Sequence, residues 1–169
     1  NTVYIINDNR ENSYDKTDSI HAELENLVPA RKHYQWYFSE KEANNNMLYC
    51  SQGLHNFLRT YYHFKSADWK NNKPFKLDTW SANSLEKLPR YYIMDAEMGM
   101  AENVEKYMPT KKEINNCEWL TESELYHYTQ IYKKTGFQGG LNWYRCMVDN
   151  NYMKRLQVLR KEVMKSVTV

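Results

Sequence analysis

The sequence predicts an all-α fold, with an extended N-terminal arm over residues 1–17 leading into one helical domain of about five to seven helices over residues 18–169. Apolar residues recur at the i, i+3, i+4, i+7 spacing of a helix face in segment after segment. No stretch alternates apolar and polar residues for long enough to demand a sheet, and no strand, glycine turn and helix succession occurs. A chain of 169 residues suits a single core, since folding at that size buries roughly 70% of the surface exposed by the unfolded chain.

The arm opens with a short apolar run from Val3 to Ile6 and then turns polar and rich in Asn and Asp. Helical text starts at Ser19, where SIHAELENL sets Ile20, Leu24 and Leu27 on one stripe before Pro29. SEKE, at residues 39–42, has the form of a capping box and predicts a helix start there. In GLHNFLRTYYHF, residues 53–64, Leu54, Phe57, Leu58, Tyr61 and Tyr62 share a face that predicts burial. KNNKP, residues 70–74, reads as a loop. SANSLEKL predicts a short helix ended by Pro89, and MAENVEKYM another ended by Pro109. TESE, residues 121–124, is a second capping box, opening a helix with Leu125, Tyr128, Ile131 and Tyr132 on one side. Lys133 and Lys134 suit its negative end, and Gly136 a left-handed stop. The last helix is expected from near Leu141 to about Met164. Asn44, Asn45 and Asn46 interrupt the helical text without an evident role.

Composition excludes several function classes. A net charge of +2 gives no basic groove for nucleic acid. No apolar run is long enough to span a bilayer, and the first residues lack a basic segment followed by an apolar one, so a cytoplasmic location is expected. Cys50, Cys117 and Cys146 are odd in number and in no metal-ligand spacing, which reads as reduced thiols. His21, His33, His55, His63 and His127 are scattered, so neither a metal nor another cofactor is expected. The chain also lacks G-x-S-x-G, a phosphate-binding loop, H-E-x-x-H and C-x-x-C, and with them a complete catalytic set.

What stands out is aromatic content: 15 Tyr, 5 Trp and 5 Phe. Such rings bury large apolar area while keeping polar tips, so they can build a pocket wall able to donate hydrogen bonds. Two aromatic segments carry a pattern, KHYQWYFS at residues 32–39 and TGFQGGLNWYR at residues 135–145. They resemble the cap, or lid, domain of α/β-hydrolases of the epoxide hydrolase type, where Y-Q-x-Y-F and G-F-x-G-x-L-N-W-Y-R recur in this order. FLRTYYHFKSADW and LPRYYIMDAEMGMAENVEKYMP between them are also similar, so the likeness covers most of residues 20–150.

The resemblance implies a helical lid whose two motif tyrosines, here Tyr34 and Tyr144, hydrogen-bond the epoxide oxygen while a core aspartate attacks carbon. A phenol stays protonated at neutral pH and can donate as alkoxide charge builds, and losing one such donor typically costs about 3 kcal/mol of transition-state stabilisation. Gln35, Trp36, Phe137 and Trp143 are the implied substrate-binding neighbours, with Phe137 and Trp143 packed behind Tyr144. Gly136, Gly139 and Gly140 are then expected to turn the backbone so that Tyr144 faces the pocket. Gly140 stands where many members of the family carry Pro, Trp36 and Ser39 vary the first motif, and Val3 replaces a frequent Pro.

The oxyanion loop, nucleophile elbow and late Asp/His pair of an α/β-hydrolase are missing from residues 1–169. The chain therefore reads as a lid without its core: a fragment, one polypeptide of a split enzyme, or a free-standing descendant. Its expected partners are a hydrophobic small molecule and either an α/β-hydrolase core or a second copy of itself. The alternative is a stand-alone binding or dimerising protein that uses the aromatic pocket for a hydrophobic ligand.

Overall fold

A computed structural model describes residues 13–149, with side chains described from residue 19 onward. Residues 1–12 of the expected arm, and the expected last helix beyond residue 149, lie outside the described residues. Helix α1 spans Ser13–Glu25, so it takes in residues 13–17, which the sequence suggested were extended. Ile20 and Leu24 on its inner face pack with Ala82, Leu85, Leu88 and Ile93 in a small apolar cluster.

The chain then forms β1, Arg31–His33, which pairs antiparallel with β2, Ile93–Asp95, in the register Arg31↔Asp95, Lys32↔Met94, His33↔Ile93. This ribbon departs from the all-α expectation, and its reason is local. Three residues per strand are too few to show alternation, and the pair is held by a partly buried Arg31–Asp95 ion pair, which Arg90 joins at 3.3 Å. Asn103, buried nearby, accepts from the Asp95 N–H at 2.8 Å and donates to the Gly99 carbonyl at 2.9 Å. The turn after β2 is thereby satisfied internally.

Helix α2, Tyr34–Ser39, follows β1 directly, and α3, Ala43–Leu48, comes next. SEKE does not open a helix. Ser39 already ends α2, and its hydroxyl donates back to the Trp36 carbonyl at 2.6 Å. The central element is α4, Leu54–Lys65, which buries Leu54, Phe57 and Leu58 as the periodicity requires. It also buries Arg59, Thr60, His63 and Phe64, because neighbours cover it from several sides. The short helices α5, Ala82–Leu85, α6, Met100–Glu105, and α7, Lys111–Asn115, follow. α4 packs against α6 and against α8, Glu122–Thr135.

The TESE box forms as read: Thr121 N–H donates to the Glu124 carboxylate at 2.8 Å, and Glu124 N–H to the Thr121 hydroxyl at 3.3 Å. A further box, Thr110 with Glu113, caps α7 directly after Pro109, a start that the sequence reading did not include.

The last described helix, α9, covers Gln138–Val148 and packs against α2. It begins three residues before Leu141, so Gly139 and Gly140 are helical rather than part of a hinge. The turn rests on Gly136 alone, at φ +61°. Buried Asn44 faces it and accepts the Phe137 N–H through Oδ1 at 2.8 Å, which gives that asparagine a role. A Cβ at position 136 would lie 2.8 Å from the same oxygen. Gly136→Ala is therefore expected to destabilise the fold by about 2 kcal/mol, combining left-handed strain with displacement of Asn44. A urea midpoint unchanged from that of the original protein would contradict this.

Among the described residues no helix is long and apolar enough to cross a membrane.

Candidate functional site

Tyr34 and Tyr144 meet. Tyr34 enters at the first position of α2, fixed by its N–H donating to the Tyr92 carbonyl at 2.8 Å, and its ring lies edge-on to that of Tyr144 on α9. The centroids are 5.9 Å apart at an interplanar angle of 76°. Phe38 contacts both, at 5.7 Å from Tyr34 and 5.0 Å from Tyr144. This is why α2 and α9 pack together: one aromatic cluster is shared between them.

Beside this cluster opens a hollow of about 510 Å³. Its wall includes Phe57 and Tyr61 from α4, Tyr132 from α8, Phe137 from the turn, and Tyr144 and Trp143 from α9. Phe137 stacks on Tyr132 at 4.5 Å and meets Phe57 edge-on at 6.2 Å. Trp143 does not pack behind Tyr144: it is 69% exposed and stands at the mouth, because Leu141 and Tyr144 form the inner face of α9 and leave the position between them turned outward.

The remaining residues of the first motif divide. Gln35 donates through Nε2 to the Tyr34 hydroxyl oxygen at 3.3 Å, which leaves the Tyr34 proton available to an acceptor. Trp36 lies against His21, with centroids 4.3 Å apart, and is not part of the hollow's wall. Tyr34 itself adjoins the hollow through the Tyr144 ring.

Burial governs the electrostatics. It pushes the Tyr144 phenol up to about 12, with Tyr34, Tyr61 and Tyr92 nearby adding to the shift. Burial likewise raises Tyr61, and it raises Tyr62, which also engages Tyr132. These hydroxyls keep their protons at neutral pH, so they are donors rather than bases.

The helical spacing sets Tyr61 on the core face and says nothing of Lys65. In the structure the Lys65 ammonium donates to the Tyr61 hydroxyl oxygen at 3.2 Å. It also lies over three rings, at 4.8 Å from Tyr61, 5.1 Å from Tyr91 and 5.7 Å from Tyr92. The available signal was the i, i+4 spacing of Tyr61 and Lys65, which places both on one side of α4.

A constellation of hydrolytic appearance also exists. His55 contacts the Thr129 hydroxyl at 3.2 Å and the Glu122 carboxylate at 3.1 Å. Thr129 is buried and its hydroxyl donates to the Leu125 carbonyl, while Glu122 holds buried Arg59 at 2.6 Å. The group ties α4 to α8 and presents no nucleophile to a substrate. Cys50, Cys117 and Cys146 are free, and no group of three or more His, Cys, Asp or Glu among the described residues is placed to hold a metal.

No protein-family model matches the chain, and no curated protein or solved structure matches it.

Proposed function

We propose that the chain is the lid of an epoxide-hydrolase-like α/β-hydrolase whose nucleophile comes from a core outside these residues. The hollow takes the apolar part of the substrate, and the Tyr144 and Tyr34 hydroxyls donate to its oxygen as the ring opens. The observation that carries this reading is the convergence of the two motif tyrosines, with centroids 5.9 Å apart beside an aromatic hollow. Both phenols arrive protonated or with a free proton: burial holds Tyr144 well above neutrality, and Gln35 occupies the acceptor side of Tyr34. Donors fixed by packing before the substrate arrives need no reorganisation as alkoxide charge develops.

Tryptophan emission, titrated with a neutral aryl epoxide and with its cyclopropane isostere, tests the donor role. The epoxide is expected to bind about 25-fold more tightly, the worth of two net hydrogen bonds at about fivefold each. Tyr144→Phe keeps the ring, and is expected to leave only the about fivefold preference due to Tyr34 without changing affinity for the isostere. Equal affinities in the unaltered protein would overturn the donor role, and epoxide turnover by the purified chain alone would overturn the lid reading.

The second reading, a dimerising binding protein, is favoured by exposed apolar side chains on α8 and α9. Trp143 is exposed at the mouth, and Met147, Val148, Ile131 and Tyr128 are exposed on the same two helices. A patch of this kind calls for a cover. A hydrolase core and a second copy are distinguished by light scattering over a concentration series, where the lid reading expects a one-to-one complex with a supplied core and the second reading expects a dimer of the chain.

A further inference from the structure

We propose that the hollow ends in an anion-reading corner formed by Tyr61 and Lys65, so that its preferred ligand carries a carboxylate on an apolar body. This deepens the pocket reading above and rests on it. Tyr61 is part of the wall of the hollow, one helical turn before Lys65 on α4. Because the Lys65 ammonium donates to the Tyr61 oxygen at 3.2 Å, the proton of Tyr61 remains for an acceptor beside it. A phenol backed by a cation is a stronger donor than one standing alone, and the charge behind it favours an anionic acceptor over a neutral one.

The surroundings of Lys65 point the same way. Tyr61, Tyr91 and Tyr92 present ring faces to the ammonium, which offset part of its lost hydration. Among the described residues no carboxylate forms an ion pair with it. Although Lys65 as a residue remains exposed, its ammonium is desolvated enough to lower its pKa, and the groups opposing that shift are the phenols of Tyr92 and Tyr34. The cluster therefore holds a positive charge against a tyrosine wall with no ion-pair partner among the described residues. Lys65 lines a second depression that meets the hollow at Tyr62, and the Asp68 carboxylate in that depression accepts from the Trp119 indole at 2.6 Å.

The test compares phenylbutanoate with phenylbutanamide, near-isosteres that differ in charge, by titration of tryptophan emission. The expected result is a preference of about tenfold for the carboxylate, as suits a hydrogen bond to a charged group. Lys65→Met, which keeps the apolar stem, is expected to erase the preference while leaving the affinity for the amide unchanged. Lys65→Arg is expected to retain it, and Tyr61→Phe to weaken the carboxylate selectively. Equal binding of the two ligands by the unaltered protein, or equal loss of both in Lys65→Met, would overturn the corner and leave the pocket reading standing. Binding of neither ligand would overturn both.

Discussion

Replacing Phe64 with alanine is expected to lower the free energy of unfolding by about 4 kcal/mol, within the range for removing a buried aromatic ring. Phe64 is 0% exposed at the last turn of α4. Tyr107 stacks on it at 3.8 Å, while Trp69 at 4.5 Å and Tyr91 at 4.8 Å meet it edge-on. Rings held on so many sides cannot collapse into the space left by the truncation, so a cavity term adds to the lost transfer free energy. With a urea slope of about 2 kcal/mol per molar, the midpoint should fall by about 2 M with the slope unchanged. Phe64→Leu should recover more than half of the loss. A midpoint shift below half a unit for the alanine variant would mean that the site relaxes freely, contrary to the packing described. Since Tyr91 also faces Lys65, the same variant should disturb the anion-reading corner as well as stability.

The second large effect is loss of stability in acid through His33. Its imidazole is 8% exposed, and burial, followed by the charge of nearby His21, lowers its pKa from 6.5 to about 4. Between those values the unfolded chain binds more protons than the folded one, so stability falls as pH drops from 6.5 toward 4. The loss attributable to this ring approaches about 3 kcal/mol once the lower value is passed. A second mechanism acts in the same direction. Neutral His33 caps α2 by accepting the Gln35 N–H at Nδ1, 3.3 Å away, and a protonated ring has no lone pair to offer. His33→Asn keeps a capping acceptor and removes the titration. The difference in unfolding free energy between the two proteins should therefore shrink by about 3 kcal/mol between neutral pH and the lower limit of the window. Parallel profiles would show that His33 is not held neutral. His63, also lowered by burial, adds to the acid sensitivity of both proteins alike. The functional consequence is specific, because α2 begins with Tyr34 and frays first when its cap is lost.

Legibility in the sequence followed the length of each signal. α4 was readable because its apolar positions repeat over twelve residues, and the TESE box because its two hydrogen bonds require only four neighbouring residues. SEKE has the same letters, but Ser39 belongs to the end of α2, and the hydroxyl finds a carbonyl behind it instead of an N–H ahead. β1 and β2 are three residues each and meet across a gap of some sixty positions, so neither strand carries its own evidence. The convergence of Tyr34 and Tyr144 was anticipated through motif likeness alone; periodicity says nothing about contacts that distant. Tyr61 and Lys65 were missed for the opposite reason: their spacing is ordinary for any helix, and only the rings of Tyr91 and Tyr92, brought in after β2 is approached, make that lysine unusual.

Gly139 and Gly140 border the hollow in the first turn of α9, and a side chain at either would meet nothing within 4 Å. Each forgoes roughly 1 kcal/mol of helical preference relative to alanine. Methyl groups there would firm the helix and, by the same act, fill the rim where a guest molecule must pass. Toughness of the scaffold and girth of what it admits are thus traded against one another at a single bare patch of backbone.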